Sequence, residues 1–299
     1  MFKKIAIFGV GLIGGSFALA LKKAGNAALV VGMDRSPAAL KRAQQLGIID
    51  QIGLSIADAI RDADLVLIAA PVAQTASILV AIQPHLQTTT IVTDAGSTKS
   101  DVVAAARTAL GDKIAQFIPG HPIAGRETNG PDAAIDDLFV GKKVVLTPLP
   151  ENLAKDVERV AQAWADCGAI IHTLTPQDHD CVFAAVSHLP HLLAYALVDN
   201  IVKKPQSDLL FQYAASGFRD FTRIAGSSPE MWRDITLANQ PMLLGMLDSY
   251  LAQLNRIRDL LASGDGDAIQ AIYANAQNAR QNWVQTIETA EKQNKQGGD

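Results

Sequence analysis

The hydrophobic and polar positions follow two different rhythms. Through residue 173 short apolar runs alternate with amphipathic stretches, and from residue 178 onward a single 3.6-residue period takes over. Lys4–Phe8, Ala28–Met33, Ala63–Ala70, Thr89–Asp94, Lys143–Thr147 and Ala169–Thr173 read as buried strands, and Phe117–Gly125 as a strand end running into a loop rich in Gly and Pro. Between them lie predicted helices: Ser16–Lys23, Pro37–Leu46 stopped by Gly47, Ala57–Arg61, Val72–Ile82 closed before Pro84, and Glu151–Cys167. This βα alternation predicts an α/β first domain over residues 1–173, a doubly wound parallel sheet, with Thr175-Pro176 as the linker. Residues 174–299 are predicted to be all-helical, with helices over Cys181–Val202, Ser207–Ala215, Pro229–Asn239, Pro241–Ala262 and Asp265–Lys292 and a frayed tail from Gln293 to Asp299. Such long amphipathic helices carry more apolar stripe than one small core covers, so a two-fold homodimer through them is expected. No internal repeat is visible.

The opening stretch, Lys3 to Gly25, admits two readings. The uncharged run Ile5–Leu21 lies between lysine pairs, and Ala18-Leu19-Ala20 resembles a signal-peptidase site. The same residues place Gly9, Gly11 and Gly14 in G-x-G-x-x-G spacing after a strand and before a helix. Gly9 would permit the tight turn, Gly11 the approach of a pyrophosphate, and Gly14 close packing of helix on sheet. The helix N-terminus at Leu12 and Ile13 would offer unpaired N–H groups to the phosphates. Asp34 ends the second apolar run twenty residues after Gly14, where a carboxylate binds ribose hydroxyls. Strand, glycines, helix, second strand and terminal acid together favour a dinucleotide-binding (Rossmann) domain, since cleavage after Ala20 would discard the strand its neighbours need. Asp34 favours NAD, while Arg35 and Ser36 beside it leave a route for the 2′-phosphate of NADP.

Composition narrows the class further. The chain has 299 residues, 48% apolar and 19% charged, with a formal net charge of −4. Scattered Lys and Arg give no footprint for nucleic acid or an anionic membrane, and neither partner is expected. Cys167 and Cys181 are the only cysteines, which excludes an intrachain disulfide framework or a multi-cysteine metal site and suits a reducing cytoplasm. Apart from the opening stretch, no apolar run is expected to span a bilayer.

Ligands of open α/β sheets bind beyond the carboxyl ends of the strands, where two polar loops fall, Asp94–Lys99 and Gly120–Arg126. His121, between Gly120 and Pro122, is either a surface imidazole or a general base able to accept a hydroxyl proton as hydride leaves a carbinol carbon. In Ser187-His188-Leu189-Pro190-His191 the two histidines stand three apart. No third ligand has matching spacing, so no metal is expected, and core or capping histidines are the plain reading. Arg219 and Arg223 stand four apart, with Trp232 nine residues beyond; they either fork onto a dicarboxylate or pair with Asp220, Glu230 or Asp234.

"HPIAGRE" at 121–127, "SHLPH" at 187–191 and "GFRDFTRIAGSSPEMWRDI" at 217–235, with the glycine fingerprint, resemble the TyrA family of prephenate and arogenate (cyclohexadienyl) dehydrogenases along the whole chain. The resemblance implies an N-terminal Rossmann domain, a helical dimerisation domain and an active site between them. It implies oxidative decarboxylation of prephenate or arogenate with hydride transfer to NAD⁺, yielding 4-hydroxyphenylpyruvate or tyrosine. By the same resemblance His121 is the catalytic histidine on the 4-hydroxyl and Ser97 its active-site serine. His191 contacts the substrate side chain, with His188 beside it, Arg223 binds a substrate carboxylate, Trp232 belongs to the same or the partner's site, and Glu127 with Arg219 forms a gating ion pair. No mutase-like extension precedes Met1 and no regulatory module follows the helices, so a single activity is expected. The rival readings are a β-hydroxyacid or 6-phosphogluconate type dehydrogenase, which would use a lysine where "SHLPH" stands, and a non-catalytic NAD-sensing protein.

Overall fold

A computed structural model describes residues 1–126 and 128–296, with side chains through 286. Chain contacts divide it into two compact units, Met1–Leu243 and Leu244–Asp299.

The first unit begins as the periodicity predicts. Strand β1 (Ile5–Phe8) leads into helix α1 (Leu12–Lys23), β2 (Val30–Met33), α2 (Pro37–Gln45), a short β3 (Gln51–Ile52), α3 (Ile56–Ile60), β4 (Leu65–Ile68), α4 (Thr75–Ile82), β5 (Ile91–Asp94), α5 (Ser100–Leu110) and β6 (Phe117–Ile118). These strands form one parallel six-stranded sheet in the order β3-β2-β1-β4-β5-β6. Its order reverses between β1 and β4, which puts the crevice of a doubly wound sheet beside the turn after β1. Both faces are covered, so β1, β4 and β5 are buried at every position, as near-continuous apolar strands require.

One expectation is corrected here. The strands after residue 119 do not extend that sheet. Pro119 supplies no N–H to a ladder, and the chain turns into β7 (Gly120–Pro122), antiparallel to β8 (Lys143–Leu146). With α6 (Ala154–Asp166) and β9 (Ile170–Thr173), parallel to β8, this makes a separate three-stranded sheet β7-β8-β9. Helix α6 packs on α1 through Trp164, fully buried, whose ring lies 4.6 Å from Phe17 and 5.2 Å from Phe139.

The chain then becomes helical: α7 (Pro176–Phe183), a π turn Ala184–His188, α8 (Leu189–Val202), α9 (Ser207–Gln212), α10 (Ser216–Thr222), a 3₁₀ turn Arg223–Gly226 and α11 (Pro229–Ala238). "SHLPH" therefore sits in the middle of a continuous helical run, not at a helix start. Pro190 has no N–H for the carbonyl four residues before it, and the π turn just upstream absorbs that lost bond. An 18-residue window within this run, Pro176–Val202, has a mean hydropathy of 1.7, and the run is long and apolar enough to cross a bilayer, a property the sequence reading confines to the N terminus. Its buried His179, Asp180 and His188 are hydrogen-bonded within the fold.

Helix α12 (Gln240–Ser263) crosses into the second unit, which continues with α13 (Gly266–Gln296). Helix thus extends through Gln296, past the predicted fraying point, and residues 297–299 lie outside the described residues. Between Leu244 and Thr286 no described residue is buried. Leu251, Leu254, Leu261, Tyr273 and Trp283 are among the exposed apolar side chains.

Candidate active site

The site grows from the turn after β1. Gly9 has φ +98, and a Cβ there would lie 2.5 Å from the Ala69 carbonyl oxygen. At Gly14 a Cβ would lie 2.1 Å from the Gly9 carbonyl oxygen and 2.9 Å from Ile7, so only glycine lets α1 approach the sheet this closely. Gly11 is different, because the nearest atoms to its Cβ position are 4.0 Å away and the space beyond belongs to a cavity. No side chain caps the N-terminus of α1 and no acid occupies its first turn, so the N–H groups at Leu12 and Ile13 keep their positive end for an anion.

The cavity has a volume of about 1330 Å³, more than the roughly 300–1,000 Å³ of ordinary small-molecule sites, and room for a dinucleotide beside a second ligand. Gly9, Gly11, Leu12, Ile13, Asp34 and Arg35 line one part of it. The Asp34 carboxylate accepts the Val10 N–H at 3.2 Å and the Ser36 N–H at 2.9 Å, which fixes it at the end of β2. A turn cleared for phosphates, an uncapped helix end and an oriented carboxylate fit a dinucleotide. Ser36 lies outside the described lining, and its hydroxyl caps α2 by accepting the Ala39 N–H at 3.2 Å.

His121, Ser97, His191, Arg223 and Trp232 line the same cavity. They come from β7, the loop after β5, α8, the 3₁₀ turn and α11. A buried ion pair holds the His121 strand in place. Lys99 Nζ donates to Asp94 Oδ2 at 2.5 Å and to the Gly120 carbonyl at 2.8 Å, and the Gly120 N–H donates to Asp94 Oδ1 at 3.1 Å. Both backbone groups of the residue before His121 are thus engaged. The His121 ring meets the buried His179, Nδ1 to Nε2, at 2.8 Å, and His179 Nδ1 lies 2.9 Å from Asp180 Oδ1. Burial, with the Lys99 charge adding to it, holds the His121 imidazole well below its ordinary range. His121 is therefore neutral and able to take a proton at neutral pH.

The helical side is built around His191. Its Nδ1 donates to the Ser187 carbonyl at 2.8 Å, and Trp232 stacks on its ring at 3.5 Å with an interplanar angle of 18°. Tyr195 Oη donates to the Ser227 carbonyl at 2.7 Å, tying α8 to the segment that carries Arg223. Burial, reinforced by the Arg223 charge, holds the His191 imidazole below its ordinary range against the pull of the Ser187 carbonyl. Arg223, beside this neutral ring, offers a cationic end for a carboxylate.

Two predicted contacts lie elsewhere. His188, one turn before His191, is buried and accepts from Asn239 Nδ2 at 3.1 Å, and burial pushes its imidazole down to about 4. It is a core histidine outside the described cavity lining, meeting edge-on, at 6.1 Å, the same Trp232 ring that stacks on His191. Arg219 is exposed on α10 and likewise outside the described lining, and its expected partner Glu127 lies outside the described residues. Sequence reasoning missed Lys99, His179 and Asp180. The only signal was the pair His179-Asp180 just past the first helical turn after Thr175-Pro176, beside Asp178, the ordinary first-turn acid. Among the described residues no cluster of three His, Cys, Asp or Glu could hold a metal.

Comparison with known proteins agrees along the chain. The family model for the prephenate dehydrogenase nucleotide-binding domain matches residues 17–173, and that for the prephenate dehydrogenase dimerization domain matches residues 175–275. Cyclohexadienyl dehydrogenase of Zymomonas mobilis is 39% identical over 282 residues, 94% of this chain and 96% of that one. Prephenate dehydrogenase of Bacillus subtilis is 35% identical over 92% of this chain and 75% of its own. The crystal structure of Aquifex aeolicus prephenate dehydrogenase with hydroxyphenyl propionate and NAD⁺ superposes with a TM-score of 0.84 at 37% identity, covering 91% of this chain and 95% of that one.

Proposed function

The chain belongs to the prephenate dehydrogenase family and is an NAD-dependent dehydrogenase, and from that premise we propose how its residues divide the work. The reaction is the oxidative decarboxylation of prephenate, arogenate or both, in tyrosine biosynthesis. The observation that carries the assignment is the single cavity shared by the glycine turn with Asp34, by His121 with Ser97, and by His191 with Arg223.

When bound, NAD⁺ supplies the acceptor for the hydride from C4 of the substrate. Gly9 and Gly11 with the N-terminus of α1 would hold its phosphates, Gly14 letting that helix lie close to the sheet, and Asp34 would take the ribose hydroxyls. His121 accepts the proton of the 4-hydroxyl, and Ser97 assists at the same oxygen. Arg223 binds a substrate carboxylate and His191 the side chain, with Trp232 fixing the plane of the His191 ring. Release of the ring carboxylate as CO₂ makes the product aromatic, so the protein's task is alignment plus general-base work. Steady-state NADH formation with prephenate and with arogenate, each with NAD and NADP, tests this reading. Turnover of at least one substrate with NAD is expected; no turnover with either, in protein that binds NAD, would refute it.

The substrate-binding and dimerising part begins at residue 174, after a nucleotide-binding domain of residues 1–173, and two copies associate through the exposed apolar helices. The support is the family model for a dimerization domain and the lack of any buried described residue between Leu244 and Thr286. Sedimentation should give a dimer, and a monomer at micromolar concentration would contradict it. The usage of two unpaired cysteines supports a cytoplasmic location.

A further inference from the structure

We propose that His179 and Asp180 are positioning residues for His121: the Asp180 carboxylate, acting through the His179 ring, holds His121 in the tautomer whose Nε2 carries no proton. The inference rests on His121 being the base of the proposed reaction.

The proton positions follow from the partners. Asp180 Oδ1 accepts the Lys99 N–H at 2.8 Å and Oδ2 accepts the Ser100 N–H at 2.7 Å. Burial pushes the Asp180 carboxyl up, but hydrogen bonds from His179, Ser100 and Lys99 outweigh it and leave it below its usual range. An ionised carboxylate only accepts, so His179 Nδ1 at 2.9 Å must be the donor. Burial keeps His179 neutral against the opposing pull of Asp180, and a neutral imidazole has one N–H. That hydrogen is spent on Asp180, so His179 Nε2 accepts and His121 Nδ1, 2.8 Å away, donates. The one remaining ring nitrogen, His121 Nε2, is left as a lone pair for the cavity it lines.

The surroundings leave this chain its directionality. The groups acting on the two rings are Lys99 and Asp94 from the β5–α5 side, Asp180 from α7 and His188 from the π turn. Lys99 is neutralised by Asp94 at 2.5 Å, and Phe183 covers both rings, edge-on to His121 at 4.9 Å and tilted against His179 at 4.5 Å. Asp180 is the carboxylate hydrogen-bonded to the pair. When the substrate O–H breaks and an N–H forms at His121 Nε2, the resulting imidazolium donates through Nδ1 to a ring that Asp180 polarises. The logic is that of a carboxylate fixing a histidine tautomer in other general-base sites.

His179→Leu and His179→Gln separate this role from packing. Glutamine can accept from His121 and donate to Asp180, whereas leucine only fills space. The leucine variant should lose about 10²–10³-fold in kcat with KM and NAD affinity within about twofold, and glutamine should recover to within about tenfold of wild type. In the leucine variant the acid limb of kcat/KM should also move to lower pH, since the imidazolium loses its acceptor. Equal kcat in the two variants with an unmoved acid limb would overturn the proposal. NMR of isotope-labelled histidine in the wild-type enzyme decides the matter even if neither variant folds: a proton on His121 Nδ1 is expected, and one on Nε2 would overturn it. Absence of turnover by the wild type would instead refute the functional reading, with the tautomer still measurable.

Discussion

The two walls of the cavity differ in how they are supported. Behind the nucleotide wall Phe17, Phe117, Phe139 and Trp164 are fully buried, whereas along α8 to α11 only Ala194 and Ile235 are buried. The first wall presents backbone groups of a close-packed sheet, where a shift of one methyl is felt. The second holds its side chains through a few specific contacts, among them the Trp232–His191 stack and the Tyr195–Ser227 bond. Chemistry that depends on fixed geometry belongs to the first, and recognition of the substrate's charged ends belongs to the second.

Substitutions sharpen that contrast. His121→Asn on the fixed wall should lower kcat by about 10²–10⁴, the range of general-base contributions, with NAD affinity unchanged. Near-wild-type turnover would remove His121 from the mechanism. Trp164→Ala, behind the same wall, should cost roughly 3–5 kcal/mol in denaturant unfolding, as large cavities in packed cores do. A loss under about 1 kcal/mol would show that the wall is not the rigid one.

Acid should weaken the protein where the helical wall is anchored. His188 is held down to about 4 when folded, against about 6.5 in the unfolded chain, so the unfolded state binds the extra proton first. Stability is then intact above pH 6.5 and falls as pH drops toward 4, by roughly 3 kcal/mol from this group. In His188→Gln that slope should flatten; an unchanged slope would place the acid sensitivity elsewhere. Arg223→Ala, on the adjustable wall, should raise substrate KM about 10–100-fold through loss of a charge-assisted fork, with a smaller change in kcat. Were NAD binding to weaken with KM steady, Arg223 would belong to the cofactor wall.

The same contrast governs what the sequence shows. The nucleotide wall is legible because its constraints are local: glycine spacing, buried runs and a terminal acid at Asp34 each have one steric or electrostatic cause. The separate sheet β7-β8-β9 was hidden, since apolar runs do not say which strand they pair with, and Pro119 only marks where the first sheet ends. His188 and His191 look alike in "SHLPH", and only their partners, Asn239 for the one and the cavity for the other, separate a core ring from a cavity ring. Lys99, His179 and Asp180 gain their roles from partners across sequence separations of 21, 58 and 81 residues, which no local pattern reports.

The central claim is that the rigid wall and the helical wall meet around one substrate beside one dinucleotide. Simultaneous measurement of NADH and CO₂ released from prephenate or arogenate, whichever the wild type turns over, tests it most directly. The account predicts equal amounts of both from the wild type, and only trace amounts from His121→Asn that still binds NAD. NADH without CO₂, or the same yield from both proteins, would contradict it.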